Sequence, residues 1–200
     1  MATEPRKENT LSHLVPALLF TVVSVIALGL VYPAIIWLIG IVAFPHQAAG
    51  SLIESNGKVV GSVLVGQTFT KPQYFHGRPS AAGKNGYDPT QTGGTNLGPT
   101  SKKLIDSVAA AVIALKKENP DATGPIPSEL VTSSASGIDP DISPEGAYYQ
   151  IPRVAKARGM SQEALRAVVG AHVRGRTLGI LGEPRVNVLE LNRSLDAGRS

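Results

Sequence analysis

The chain contains no cysteine. That excludes a disulfide framework, a cysteine nucleophile and any thiolate zinc or iron–sulfur centre. Charge is scarce as well: Asp, Glu, Lys and Arg make up 17% of the 200 residues, against about 25% in average usage. The deficit is local, because positions 14–44 hold no Asp, Glu, Lys, Arg or His. Aromatics are few, at 5%, and no Lys/Arg block alternates with them. The net charge of +4 therefore does not read as a nucleic-acid-binding surface. The nine Lys/Arg against four Asp/Glu in residues 151–200 read as a solvated face, with an acidic partner as the alternative. What is present is hydrophobic, 42% of the chain. That share argues against disorder, and the length fits one domain plus one extra element.

The uncharged run Leu14–Phe44 is 31 residues long. A helix crosses the hydrocarbon core of a bilayer with about 20 apolar residues, so this run spans with length to spare. Pro16 fits a helix start. Pro33 lies inside the run and predicts a kink, because its ring removes one hydrogen bond of the ladder. Tyr32 and Trp37 suit a membrane interface. A signal peptide is disfavoured: the run is about twice the usual 7–15-residue apolar region, and residues 45–50 offer no good cleavage site. A buried core helix is disfavoured by length. Arg6 and Lys7 before the span outnumber Lys58 after it, so the positive-inside rule predicts a cytoplasmic N-terminus. The organisation expected is a short cytoplasmic tail over 1–13, a transmembrane helix over 14–44 and one compact extracytoplasmic α+β domain over 45–200.

In that domain, Ser51–Glu54 and Lys58–Val65 predict two strands around Asn56-Gly57, a hairpin-turn pair. Gly66–Pro99 is dense in glycine and proline and predicts ordered loop. A loop of that length in a compact domain is usually functional or packed on a partner. Thr100 or Ser101 caps a predicted helix reaching Asn119, with Leu104, Ile105, Val108, Val112 and Leu115 on one face and Pro120 as its stop. Ser143-Pro144-Glu145 predicts a helix start, and Pro152 predicts its interruption. Ser161 caps another helix, with Leu165, Val168, Val169 and His172 near one face. Val186–Leu191 is the last predicted strand, followed by a polar tail. Strands and helices do not alternate regularly, so the class is α+β.

No motif establishes catalysis. His13, His46, His76 and His172 lack the spacing of a helix-borne metal site. Gly77–Asn85 imitates a phosphate loop but has five residues between its glycines, and Asn85 where a hydroxyl residue is needed. Gly93-Gly94-Thr95-Asn96 could present N–H groups to an anion, or serve a tight turn. There is no G-x-S-x-G elbow. Asp139 and Asp141 flank Pro140 as turn-shaping residues.

The order of several blocks is more specific than any one motif: Tyr32-Pro33 in a lone span, GSVLVGQTF at 61–69, YFHGRPSAA at 74–82, TGGTNLGP at 92–99, VTSSASGIDPDIS at 131–143, QIPRVAKARG at 150–159 and LGEPRVNVLELN at 181–192. Together they resemble the KdpC family, the small C subunits of bacterial Kdp potassium-transporting ATPases. Thr92, Thr95, Ala135 and Ile138 depart from residues common in that family. The resemblance implies an accessory subunit of a high-affinity potassium uptake complex in the inner (plasma) membrane. Its expected partners are a potassium-translocating A subunit, an ATP-hydrolysing P-type B subunit and a small F subunit. The chain is expected to catalyse nothing alone, to bind no metal, and to leave ATP and potassium to the complex. The family is pictured both as a catalytic chaperone that raises the ATP affinity of B and as a clamp over the outer mouth of A. The clamp makes loops 66–99 and 131–143 docking surfaces, with Gln67, Arg78, Pro79, Ser80, Gly93, Gly94, Asn96, Asp139, Pro184, Arg185 and Asn187 as docking positions. Gly93, Gly94 and Asn96 are also the positions for a nucleotide. The rival class is a membrane-anchored periplasmic binding protein or hydrolase.

Overall fold

The computed structural model describes residues 10–55 and 57–198. Arg6 and Lys7 of the tail and Asn56 of the expected turn lie outside the described residues. The chain divides into two compact units, one ending at Ser51 and one starting at Leu52.

The first unit is helical from Thr10 to Ala43, as α1 (Thr10–Ser24), a π-helical stretch (Val25–Val31) and α2 (Tyr32–Ala43), then one short turn, α3 (Pro45–Ala48). Residues Ser12–Ala43 are long and apolar enough to cross a membrane, and the most apolar part of that helix has no residue buried in the protein. Pro33 stands in the first turn of α2, and the helix runs on through it. The π turns precede the proline directly, with the Tyr32 N–H donating to the Ala27 carbonyl five residues back. A proline ring clashes with the carbonyl four residues earlier in α geometry, and widened turns relieve that clash. Pro16 does not start the helix either. It lies inside α1, where a proline near the N-terminus disturbs only the turn before it.

The second unit is mixed helix and sheet. β1 (Leu52–Ser55) and β2 (Lys58–Ser62) form an antiparallel hairpin, Ser55 facing Lys58, with a bulge between Ile53 and Glu54. β2 stops earlier than the apolar run to Val65 predicts, because the Ser62 hydroxyl accepts the Leu64 N–H at 3.0 Å and turns the chain. Residues 66–101 carry no helix and no strand. α4 (Lys102–Glu118) follows. Ser101 stands at its N-cap without a side-chain cap bond. Leu104, Val108, Val112 and Leu115 are half-buried, but Ile105 is exposed.

A 3₁₀ turn (Ser128–Leu130) and β3 (Asp141–Ile142) lead into α5 (Pro144–Arg158) and α6 (Gln162–Ala171). Ser143 caps α5 by accepting the Gly146 N–H, and Ser161 caps α6 by accepting that of Ala164. Pro152 fails to interrupt α5. Ile151, Arg153, Val154 and Ala155 around it are buried, and burial of one large aliphatic side chain is worth about 1.5–3 kcal/mol. Ile151 and Val154 together offset the roughly 3 kcal/mol that an interior proline costs. β4 (Val173–Arg174) and β5 (Arg185–Asn187) complete a three-stranded antiparallel sheet in the order β3-β5-β4. The expected strand over Val186–Leu191 ends at Asn187, and α7 (Val188–Ala197) replaces the expected polar tail. Asn187 caps it by accepting the Glu190 N–H at 3.1 Å. Val188, Leu191, Asn192 and Leu195 are buried at helical spacing. The core gathers Phe75, Ile142, Ile151, Val154, Leu165, Val169, Val186 and Leu191.

Candidate docking surface

A loop as long as 66–101 must satisfy its backbone groups without a ladder. Segment 71–76 does so with side chains from α5 and α7. Asn192 clamps Phe75, accepting its N–H at 2.8 Å and donating to its carbonyl at 2.9 Å. Gln150 repeats the clamp on His76, accepting its N–H at 2.8 Å and donating to its carbonyl at 3.0 Å. Arg153 Nη1 donates to the Pro72 and Tyr74 carbonyls, its Nε to Asn119 Oδ1, and its Nη2 to Gln150 Oε1. Arg158 Nε donates to the Gln73 carbonyl and its Nη1 to that of Leu195. Both arginines are buried. Burial pulls the Arg153 guanidinium down to about 10, which leaves it charged at neutral pH. Two side-chain amides and two guanidinium forks thus replace a neighbouring strand.

On either side of segment 71–76 the chain is sewn to residues 131–143. The Gly66 N–H donates to the Ile138 carbonyl, and the Gly93 N–H to that of Ser136. Ser80 Oγ donates to the Gly137 carbonyl and accepts from the Ala82 and Tyr87 N–H groups. Arg78 Nη1 pairs with Asp139 at 3.2 Å. Tyr87 donates its phenol proton to the Arg78 carbonyl, and burial pushes its pKa up to about 12. Gly137 is a point of close approach between the two loops. Its φ is +71°, and a Cβ there would lie 2.6 Å from Ala82 Cβ and 2.7 Å from the Gly93 carbonyl. These bonds join loops 66–99 and 131–143 into one continuous surface.

Between loop 67–87 and α4 lies a cleft of about 500 Å³, lined by His76, Arg78, Lys84, Tyr87, Glu118 and Gln150 among others. His76 Nε2 donates to the Lys71 carbonyl at 3.2 Å, and Nδ1 lies 3.4 Å from Glu118. Burial, then the Arg153 charge, hold the His76 pKa below its ordinary 6.5 despite the pull of Lys71 and Glu118. The unfolded chain therefore takes up a proton near pH 6.5 that the folded chain refuses. Stability is complete above that value and falls as pH drops from it toward the lower folded pKa. Denaturant midpoints of the full chain in detergent between pH 7.5 and pH 5.5 are expected to fall for the wild type and to fall less for His76→Gln, with a ceiling of about 1.4 kcal/mol per pH unit for one proton.

The expected docking positions fall at three depths. Asn96 and Pro184 are exposed. Gln67, Arg78, Pro79, Ser80, Gly93, Gly94, Asp139 and Arg185 are half-buried within the seam and the sheet. Asn187 is buried and donates to the Val63 carbonyl at 2.9 Å and to Asp141 Oδ1 at 3.2 Å. Asp141 also meets Arg185 at 3.2 Å, and its burial raises its carboxyl pKa. At the positions read for a nucleotide, the Gly93 N–H is engaged by Ser136, and α4 begins only at Lys102. Among the described residues no group of three His, Asp or Glu could hold a metal ion.

A family profile, K+-transporting ATPase c chain (KdpC), matches residues 14–197, from the first residue of the span into α7. The chain belongs to the KdpC family. Proteins named potassium-transporting ATPase KdpC subunit are similar along nearly their whole length. That of Koribacter versatilis is 53% identical over 185 residues, covering 92% of this chain and 94% of its own. That of Rhodopseudomonas palustris is 50% identical over 200 residues, covering 94% and 100%. That of Myxococcus xanthus is 53% identical over 186 residues, covering 92% and 88%.

Family membership sets aside the binding-protein and hydrolase reading. It also gives a frame to residues that sequence reasoning missed. Gln150, Arg153, Arg158, Asn119 and Asn192 build the support under the loop surface. The signal was polar residues in register with an apolar stripe: Gln150, Arg153 and Arg158 fall among Ile151, Val154 and Ala155, and Asn192 between Leu191 and Leu195.

Proposed function

We propose that the chain is a non-catalytic accessory subunit of a potassium-transporting ATPase, and that it acts as an extracytoplasmic clamp. The observation that carries this reading is the match of residues 14–197 to the K+-transporting ATPase c chains. The span anchors the chain in the plasma membrane. The excess of Arg6 and Lys7 over Lys58 supports a cytoplasmic N-terminus, with residues 45–200 outside. The sewn loops 66–99 and 131–143 dock on the potassium-translocating A subunit, beside the ATP-hydrolysing B subunit and the small F subunit. Ser80 and Asp139 are engaged in holding the seam, which supports a structural role. From outside the membrane, any effect on the ATP affinity of B passes by conformational coupling, typically about 1–3 kcal/mol.

Crosslinking in native membranes tests the clamp. A photoreactive residue at position 84 or 96 is expected to form adducts with the channel-like subunit, and one at exposed position 163 on α6 is not. Equal adducts from all three positions, or none from 84 and 96, contradict it.

A further inference from the structure

The connection between β4 and β5 forms a finger. Thr177 and Leu181 exchange backbone hydrogen bonds at 2.9 Å, and the Gly179 N–H donates to the Arg176 carbonyl at 3.1 Å. At its tip, Leu178 is 85% exposed, Ile180 74% and Leu181 57%. Leu178 adopts φ +56°, while Gly179 and Gly182 stand at +77° and +76°. Positive φ is easy for glycine and tolerable for asparagine, but unfavourable for a bulky leucine. A strained backbone that holds an apolar side chain in water is a mark of function rather than of folding.

We infer that this finger, residues 177–182, is an aliphatic plug that seats in an apolar recess on the extramembrane surface of another subunit of the transporter. The inference rests on the reading that the chain is one subunit of such a complex. A protein recess fits better than a bilayer. Loops that enter membranes carry aromatic rings at the interface and unpaired Lys or Arg toward lipid headgroups. Residues 174–185 contain no aromatic and no lysine. Their arginines are ion-paired at home, Arg174 with Glu190, Arg176 with Glu183 and Arg185 with Asp141. The stem is thus neutralised, and the tip offers a neutral partner a compact knob already fixed in shape. A preformed knob loses little conformational entropy on seating, and taking its exposed aliphatic surface out of water favours the seated state.

The test uses the full chain in its host membranes with its partner subunits. A diazirine amino acid at position 178 or 180 is expected to give a light-dependent adduct with a subunit that also co-purifies with the wild-type chain, and a probe at exposed position 162 is not. Leu178→Asn combined with Ile180→Ser is expected to keep the thermal midpoint of the chain while lowering recovery of the partner subunits at least fivefold. Leu178→Gly, which removes strain and side chain together, should lower recovery without loss of fold. Adducts with lipid, no adduct at 178 and 180, or full recovery by both variants overturn the plug while wild-type co-purification stands. A wild-type chain that recovers no partner overturns the subunit reading itself, and the plug with it.

Discussion

Arg153→Ala is expected to abolish stable folding of the second unit. The guanidinium is buried and donates to the Pro72 and Tyr74 carbonyls, to Asn119 and to Gln150. Alanine takes a donor from the Pro72 and Tyr74 carbonyls and from Asn119, while Gln150 Oε1 keeps the His76 N–H. One buried acceptor left unsatisfied costs about 1–3 kcal/mol, so the sum is on the order of the 5–15 kcal/mol that holds a whole domain together. Gln150 then loses a partner while still clamping His76, so the effect spreads along segment 71–76. Arg153→Lys is expected to rescue little, because an ammonium lacks the planar fork that reaches two carbonyls and two side chains at once. Far-ultraviolet dichroism and a thermal scan of the full chain in detergent check this. A cooperative transition within a few degrees of wild type for Arg153→Ala would mean that the loop is held by other means.

Gly137→Ala is the second large effect, and it acts on the surface more than on the core. The position has φ +71°, and the added methyl would meet Ala82 Cβ at 2.6 Å and the Gly93 carbonyl at 2.7 Å. A left-handed conformation costs a non-glycine residue about 1–2 kcal/mol. Overpacking against backbone adds about 1–3 kcal/mol. The strands and helices of the unit lie outside this contact, so the domain should stay folded with its loops sprung apart. The expected result is a loss of about 2–5 kcal/mol of stability, with early protease cleavage within 80–95 or 133–139. Recovery of partner subunits by the variant chain should fall as well. Wild-type protease resistance would show that the seam does not depend on this glycine.

Much of the architecture was legible in the sequence because local chemistry and tertiary packing agreed. The uncharged run of 31 residues reads as a span, and Ser12–Ala43 is a helix long and apolar enough to cross a membrane. Ser143 and Ser161 announced helix starts and do cap them. The sequence failed where packing overrode a local rule. Pro152 reads as a break, yet burial on both sides carries α5 through it. Residues 186–191 have the composition of a strand, but Asn187 and Glu190 stand at capping-box spacing, and the apolar positions beyond them repeat at helical rather than strand period.

The candidate docking surface was legible only in part. Glycine, proline and length marked 66–99 as an unusual loop, and the family resemblance pointed to 131–143. Nothing local revealed that Ser80, Gly93 and Gly137 join them, since the bonds cross more than 40 residues of chain. The support beneath was hidden for a different reason. Gln150, Arg153, Arg158 and Asn192 look like surface residues until the helices that carry them are packed. The exposed finger was hidden because glycine and leucine near a turn read as ordinary loop, and only the backbone shows that Leu178 is held at positive φ.

Co-purification tests the central claim most directly. The chain, tagged at its C-terminus, is expressed in its potassium-starved host, extracted in mild detergent and isolated with whatever accompanies it. The account predicts recovery of a P-type ATPase and a channel-like subunit, together with potassium-stimulated ATP hydrolysis. Recovery of the chain alone across several detergents, with no such activity, would contradict it.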